Sequence, residues 1–230
     1  QIWDVERISL SGYDSEVHGK GRIVGDQLDF IIGGDSIQLN RVFRNERYAV
    51  KGTATIVGKL EGTLDNPVFQ GQFGASRLSI NDVDVQSFGG NVYVDKKSIY
   101  TDSVHFVQDG GVYEFSGGIR LAQEELFGKA SVKKGNVGNL IRLFQLPIHS
   151  YEGHLSGTVE LGGVLTNPRV DVRGKIEDST IKGKQQGDVE VDATLANKEL
   201  EIRKLSMPLG SGYLAAAGKA DFKDELSLQL

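Results

Sequence analysis

The chain has 230 residues, 39% of them hydrophobic and 25% charged, with no cysteine and a formal charge of -5. That composition supports a folded protein of one or two domains and excludes disulfides and thiolate metal sites. The 26 basic residues are mixed with 31 acidic ones without a basic stripe, which argues against a nucleic-acid partner.

Residues 1–35 read as the tail of a preceding repeat, because Gly19 and Leu28 are spaced like Gly117 and Leu126. Within them, Gly19-Lys20-Gly21-Arg22-Ile23-Val24-Gly25 misses the dinucleotide-binding spacing by one residue and reads as a glycine-containing strand. Gly33-Gly34 reads as a hairpin-like turn. A short helix is expected over Ser36–Phe43, with Leu39, Val42 and Phe43 on one side and Asp35 or Ser36 as its N-cap.

A long strand follows. Val50, Gly52, Ala54, Ile56, Gly58, Leu60, Gly62 and Leu64 take every second position, and Lys51, Thr53, Thr55, Val57, Lys59, Glu61 and Thr63 sit between them. Successive strand side chains point to opposite faces, so this strand has one apolar and one mostly polar face. Asn66-Pro67 ends it. Further turns are expected at Gly89-Gly90 and Asp109-Gly110-Gly111, with strands at Val92–Val94 and Tyr113–Leu121. Val137, Leu140, Ile141 and Phe144 then fall at i, i+3, i+4 and i+7, an apolar helix stripe stopped by Pro147. The long alternating strand returns through Leu155, Gly157, Val159, Leu161, Gly163 and Leu165, and Asn167-Pro168 ends it. Strands at Val170–Ile176, Val189–Leu195 and Leu214–Phe222 complete the series, with a turn at Gly210-Ser211-Gly212. The chain starts at Gln1 and stops inside the alternation Leu226, Leu228, Leu230, and so reads as a fragment of something longer.

The order is periodic. Pro168 follows Pro67 by 101 positions (168 − 67), Leu140-Ile141-Arg142-Leu143-Phe144 follows Leu39-Asn40-Arg41-Val42-Phe43 by the same offset, and Gly212 and Gly218 follow Gly111 and Gly117 likewise. The unit reads as helix, long strand, Asn-Pro turn and about five shorter strands. Residues 36–136 form the first full repeat and 137–230 a truncated second one, in one continuous array.

A sheet with one apolar face has to cover it, since each large side chain left wet forgoes roughly 1.5–3 kcal/mol. A sandwich, a barrel or a trough filled by an apolar ligand would each do so, and the repeat favours an array over a closed object. The expected fold is therefore all-β: an elongated, curved, repeat-built sheet, open as a trough, with one apolar concave face and one or two short helices. Candidate lining residues are Ile56, Leu60, Phe69, Phe73, Val92, Val94, Phe106, Tyr113, Phe115, Leu155, Val159, Leu161 and Leu214. Small residues on the same face (Gly52, Ala54, Gly58 and Gly62) either let the sheet bend around its own core or leave room for acyl chains.

No catalytic constellation stands out, and no cofactor, no metal site and no enzymatic activity is expected. His149 and His154 lie five apart, which suits neither a helical nor a strand-face metal pair, and His18 and His105 read as ordinary surface residues. Asp82, Asp84, Glu124-Glu125, Asp26-Gln27 and Asp224-Glu225 read as solvated turns.

The string Gly52-Thr53 through Gly62-Thr63-Leu64-Asp65-Asn66-Pro67-Val68-Phe69-Gln70-Gly71, with its echo Gly157-Thr158 through Gly163-Val164-Leu165-Thr166-Asn167-Pro168-Arg169-Val170, resembles the TamB family. These are the translocation and assembly module subunits, with DUF490-type repeats, of the AsmA-like superfamily. The resemblance covers essentially the whole chain, including the short Leu-Ile-Arg-Leu-Phe helix. It implies a periplasmic segment of an inner-membrane-anchored protein in a bacterium with two membranes, built as a hollowed sheet with an apolar lining. It further implies phospholipid acyl chains as cargo and a BamA-type outer-membrane partner reached through the parent chain. No catalytic residues come with the family. Two other readings stay open: a chaperone for outer-membrane proteins that adds client strands at a sheet edge, and a non-conducting structural repeat whose apolar face is its own core.

Overall fold

Alternation of period two, punctuated by Gly, Asn and Asp turns, makes strands of nearly the whole chain. The computed structural model describes residues 1–12, 14–42, 49–144, 150–197, 199–209, 211–221 and 227–229. Phe43, Pro147, His149, Gly210, Phe222, Asp224, Glu225, Leu226 and Leu230 lie outside the described residues. The strands are β1 (Ile2–Gly12), β2 (Ser15–Val24), β3 (Gln27–Gln38), β4 (Val50–Thr63), β5 (Pro67–Ile80), β6 (Val83–Val85), β7 (Ser87–Val94), β8 (Ser98–Gln108), β9 (Gly111–Arg120), β10 (Glu125–Asn136), β11 (Tyr151–Val164), β12 (Asn167–Ile181), β13 (Lys184–Ala196), β14 (Glu199–Leu209), β15 (Gly212–Asp221) and β16 (Ser227–Gln229). Among the described residues two helices are present, α1 (Leu39–Val42) before β4 and α2 (Val137–Phe144) before β11.

The chain is all-β apart from these two helices. It divides into two compact units, Gln1–Val107 with Gly118–Ala122, and Gln108–Gly117 with Gln123–Leu230. In the first unit the order is β1-β2-β3-β4-β5-β7-β8, with β6 folding back on the end of β5. In the second, β9 to β16 lie in chain order. Each is an open, curved antiparallel sheet in which sequence neighbours are sheet neighbours, as short turns dictate.

The backbone repeats with the sequence. Gly52 and Gly62 have φ of 128° and 95°, and Gly153 and Gly163, 101 positions on, have 147° and 81°. Arg77 and Asp178 share a φ of 53°, and Asn81 and Lys182 share 51°. A bulge interrupts the β4–β5 register between Lys51 and Thr53, and another interrupts β11–β12 between Glu152 and His154. Upstream of the helices the offset is 98: Ser36 and Lys134 have φ of 58° and 53°, in bulges between Gly34 and Ile37 and between Val132 and Gly135. The three additional residues (101 − 98) fall between the end of β10 and the start of β11, where α2 has 8 residues and α1 has 4.

Several expectations are corrected. α1 starts at Leu39, because β3 runs on to Gln38 through the Ser36 bulge, so neither Asp35 nor Ser36 caps it. Gly33-Gly34 and Gly89-Gly90 are inside β3 and β7 instead of in turns. They mark close approach: a Cβ on Gly33 would lie 2.9 Å from His18 Nε2, and one on Gly90 would lie 2.4 Å from the Ser103 carbonyl. The strand after Asn66 is not shorter, since β4 and β5 both have 14 residues. Asp84 belongs to β6, and Leu121 lies just past β9.

Gly52 shows why glycine is required at the bulge. Its φ of 128° is a region that L-residues rarely adopt, and a Cβ would come within 2.8 Å of the Arg77 carbonyl. Gly52→Ala is expected to lower the unfolding free energy by about 1–3 kcal/mol, read from urea denaturation of the chain. Gly12→Ala, where nothing lies within 4 Å of the new methyl, should change it little.

Candidate functional site

Register carries one face across every strand of a unit. In the first, Phe30, Leu60, Phe69, Val94 and Ile99 are successive cross-strand partners on β3, β4, β5, β7 and β8. The next row is Ile32, Gly58, Gly71 and Val92, and the one after it Gly34, Ile56, Phe73, Gly90 and Val104. Ala54, Ala75, Phe88 and Phe106 make a fourth. The candidates Ile56, Leu60, Phe69, Phe73, Val92, Val94 and Phe106 therefore share one face.

The second unit repeats the pattern. Gly128, Leu161, Val170, Leu195 and Leu200 form one row on β10 to β14, and Ala130, Val159, Val172, Ala193 and Ile202 the next. Leu155 continues the face through Gly135 and Ile176, and Leu214 through Met207. Tyr113 and Phe115 of β9 belong to it too: a Cβ on Gly135 would meet the Tyr113 hydroxyl at 2.6 Å, and one on Gly128 would meet the Phe115 ring at 3.1 Å.

Most of this surface is half-buried. Among the described residues only nine hydrophobic side chains reach core-like burial, and Leu39, Leu78, Val83, Val85 and Val137 of these belong to the helices or to the β5–β6 end. The closed part sits at one end of the rows. Leu39 of α1 packs with Leu78 and Val85, and Val50, Ala54, Ala75, Ile80, Phe88 and Phe106 surround them. Phe106 thus belongs to this end cluster, and Tyr113 is buried at 7% exposure, with its phenol pushed above its ordinary pKa by burial. α2 is capped by the Asn136 side chain, which accepts from the Asn139 amide at 3.0 Å and donates to Asp109 at 3.1 Å.

The glycines of the apolar face are not empty space. A Cβ on Gly58 or Gly71 would strike the Phe69 ring at about 2.7 Å, and one on Gly21 would strike the Phe30 ring at 2.7 Å. Aromatic rings lie over cross-strand glycines and fill the room that Gly58 and Gly71 provide. The rows are therefore corrugated by their own side chains.

The opposite face is polar. In the second unit Arg169 donates twice to Asp171, at 2.7 and 3.1 Å, and Thr194 donates to the same carboxylate. Arg203 lies 3.6 Å from Asp171 and pairs with Asp192, which Arg173 approaches at 3.5 Å. The hydrogen bonds from Arg169 and Thr194 lower the Asp171 pKa to about 2. A depressed carboxylate contributes stability that is present above its unfolded pKa of about 3.9 and is lost as pH falls towards 2. Asp171→Asn should therefore flatten the stability profile between about pH 4 and pH 2, measured by urea midpoints, and should cost about 1 kcal/mol at pH 7. An unchanged acid slope would assign the acid sensitivity to other carboxylates.

Sequence reasoning placed Val57 on the polar face, where it is 55% exposed, and missed Ile31 on that face, at 53% exposure. Both break the alternation rule, and their strand position was the only available signal. It also passed over Phe30, Ile32 and Val172, which continue the rows and follow the same alternation as the residues it singled out. His18, His105 and His154 are exposed strand residues, and no group of three or more His, Asp or Glu is placed to hold a metal among the described residues. No described helix is long and apolar enough to cross a membrane. No family model, curated protein or solved structure matches the chain.

Proposed function

We propose that the apolar faces shield lipid acyl chains from water, as a segment of a TamB-like envelope protein that moves phospholipid between the inner and outer membranes. The observation that carries this reading is the in-register rows of large apolar side chains, most of them partly exposed in each unit, with a closed cluster at the α1 end and single buried members at Phe30 and Ala193. Covering such a side chain with an acyl chain gains on the order of 1 kcal/mol, a fraction of its full burial value. The contact is non-directional, so it suits a chain that has to slide. No polar group on these rows fixes a head group, which fits cargo recognised by its tails. On this reading the segment works in the periplasm, and the parent protein serves outer-membrane biogenesis with a BamA-type partner.

The test is site-specific photocrosslinking in the cell, with the probe at Ile56 and Leu161 or, one residue away, at Thr55 and Glu160. Ile56 and Leu161 are on the apolar face, and Thr55 and Glu160 are exposed on the other. Lipid adducts are expected at the first pair only. Adducts to unfolded outer-membrane protein instead of lipid would favour the chaperone reading, and no adducts at all would favour a purely structural repeat.

A further inference from the structure

We propose that the polar face of the first unit holds a binding site for a flat, neutral, β-1,4-linked oligosaccharide, built around Tyr93 and Tyr100. The site is a depression of about 470 Å³ on β4, β5, β7 and β8, within the usual range for ligand pockets of about 300–1,000 Å³. It lies on the face opposite the apolar rows and is independent of the lipid reading.

Register sets out its parts. Lys59, Gln70, Tyr93 and Tyr100 are successive cross-strand partners, and Val57, Gln72 and Asn91 form the neighbouring row. The two tyrosine rings stack with centroids 4.9 Å apart and planes 18° apart. Asn91 holds them in place. Its Oδ1 accepts from the Thr101 hydroxyl and from the Asp102 and Ser103 amides, and its Nδ2 donates to Asp102. These bonds pin the irregularity where the β7–β8 register shifts between Gly90 and Tyr93. Asn91 is therefore a positioning residue.

The remaining chemistry points to a neutral polyol. Gln70 and Gln72 are exposed, and their amides make no hydrogen bond among the described residues. Each amide offers donors and an acceptor, as a sugar hydroxyl does. The Lys59 ammonium is met by Asp29 at 3.2 Å and Glu61 at 2.5 Å, and the Asp102 carboxylate in the lining accepts from the Asn91 amide, so no free cation calls for an anionic ligand. The stacked tyrosines cover each other's inner faces, so what the pair offers a pyranose is an outer ring face for its C–H face and two hydroxyls for its rim. Burial and nearby acids push the Tyr100 phenol upward, which keeps it a neutral hydroxyl. Strands about 4.8 Å apart step at close to the length of one pyranose ring, so a ribbon-like chain crossing the strands meets one polar row position per sugar. An α-1,4-linked chain coils away from such a surface.

The experiment titrates the full chain with chitohexaose, cellohexaose and maltohexaose and follows its amide chemical shifts. Saturable shifts on β5, β7 and β8 are expected with at least one β-linked probe and not with maltohexaose. Tyr93→Ala should weaken binding by about tenfold or more, or about 1.4 kcal/mol, while Tyr93→Phe should keep most of it. Because Tyr93→Ala also removes a stacked neighbour, a paired Gln70→Ala, Gln72→Ala variant tests the site through exposed amides alone and should lose binding to a similar degree. No saturable shift with either β-linked probe, equal binding of maltohexaose, or full affinity in the paired glutamine variant would overturn the proposal.

Discussion

Leu78→Ala is expected to lower the unfolding free energy of the chain by about 2–4 kcal/mol, the cost of deleting a buried leucine and leaving part of the cavity. Leu78 is 4% exposed, faces Val85 across the β5–β6 pairing, and packs with Leu39 of α1. In a protein with a thick core such a loss would be shared among many neighbours. Here core-like burial is scarce, so this cluster carries much of what fixes α1 and β6 onto the sheet. A typical folded protein has only about 5–15 kcal/mol in hand, so the variant would unfold at a clearly lower urea midpoint. Leu64→Ala is the matched control. Leu64 is 60% exposed at a turn, and its loss should stay within about 0.5 kcal/mol. Equal effects of the two would mean that the end cluster is no more a core than the turns are.

The contrast explains which features were legible from the chain alone. Alternation from Val50 to Leu64 and from Leu155 to Leu165 is a local signal, and it put Ile56, Leu60, Val159 and Leu161 on the face they occupy. Asn66-Pro67 and Asn167-Pro168 are local as well: the Asn66 amide donates to both the carbonyl and the hydroxyl of Thr63, each at 3.0 Å, which closes the turn. The α2 stripe was legible because 8 residues suffice for a period of 3.6, whereas α1, with 4, does not complete a clear one.

Other features depended on partners distant in sequence. Gly33-Gly34 looks like a turn until His18 of β2 is laid across Gly33. Gly58 and Gly71 look like gaps until the Phe69 ring is placed over both. Phe106 has the same alternation as Val104, but α1 and β6 cover its surroundings, and nothing near residue 106 in sequence announces them. The Arg169, Asp171 and Arg203 group depends on a register that joins β12 to β13 and β13 to β14, and charge counting cannot supply it.

The same geometry makes the lipid reading testable with a single charge. Ile56→Asp, or Leu161→Asp in the second unit, is expected to reduce lipid recovered with the purified chain by tenfold or more while leaving it folded. The two effects separate because the face is partly open to water in the free protein. A carboxylate there keeps part of its water in the free protein, so folding loses the partial burial of the original side chain and some of the charge's hydration, about 2–3 kcal/mol. Against an acyl chain the same carboxylate has to shed that water, and burying it without a partner costs several kcal/mol. A penalty of about 1.4 kcal/mol already gives the tenfold loss. Thr55→Asp places the same charge one residue away on the opposite, exposed face and should leave lipid recovery unchanged. Lipid extraction and mass spectrometry give the amount bound per chain, and a urea melt of the same sample reports folding. Retention of lipid by folded Ile56→Asp and Leu161→Asp, or its loss in Thr55→Asp, would remove the apolar rows as the lipid-bearing surface.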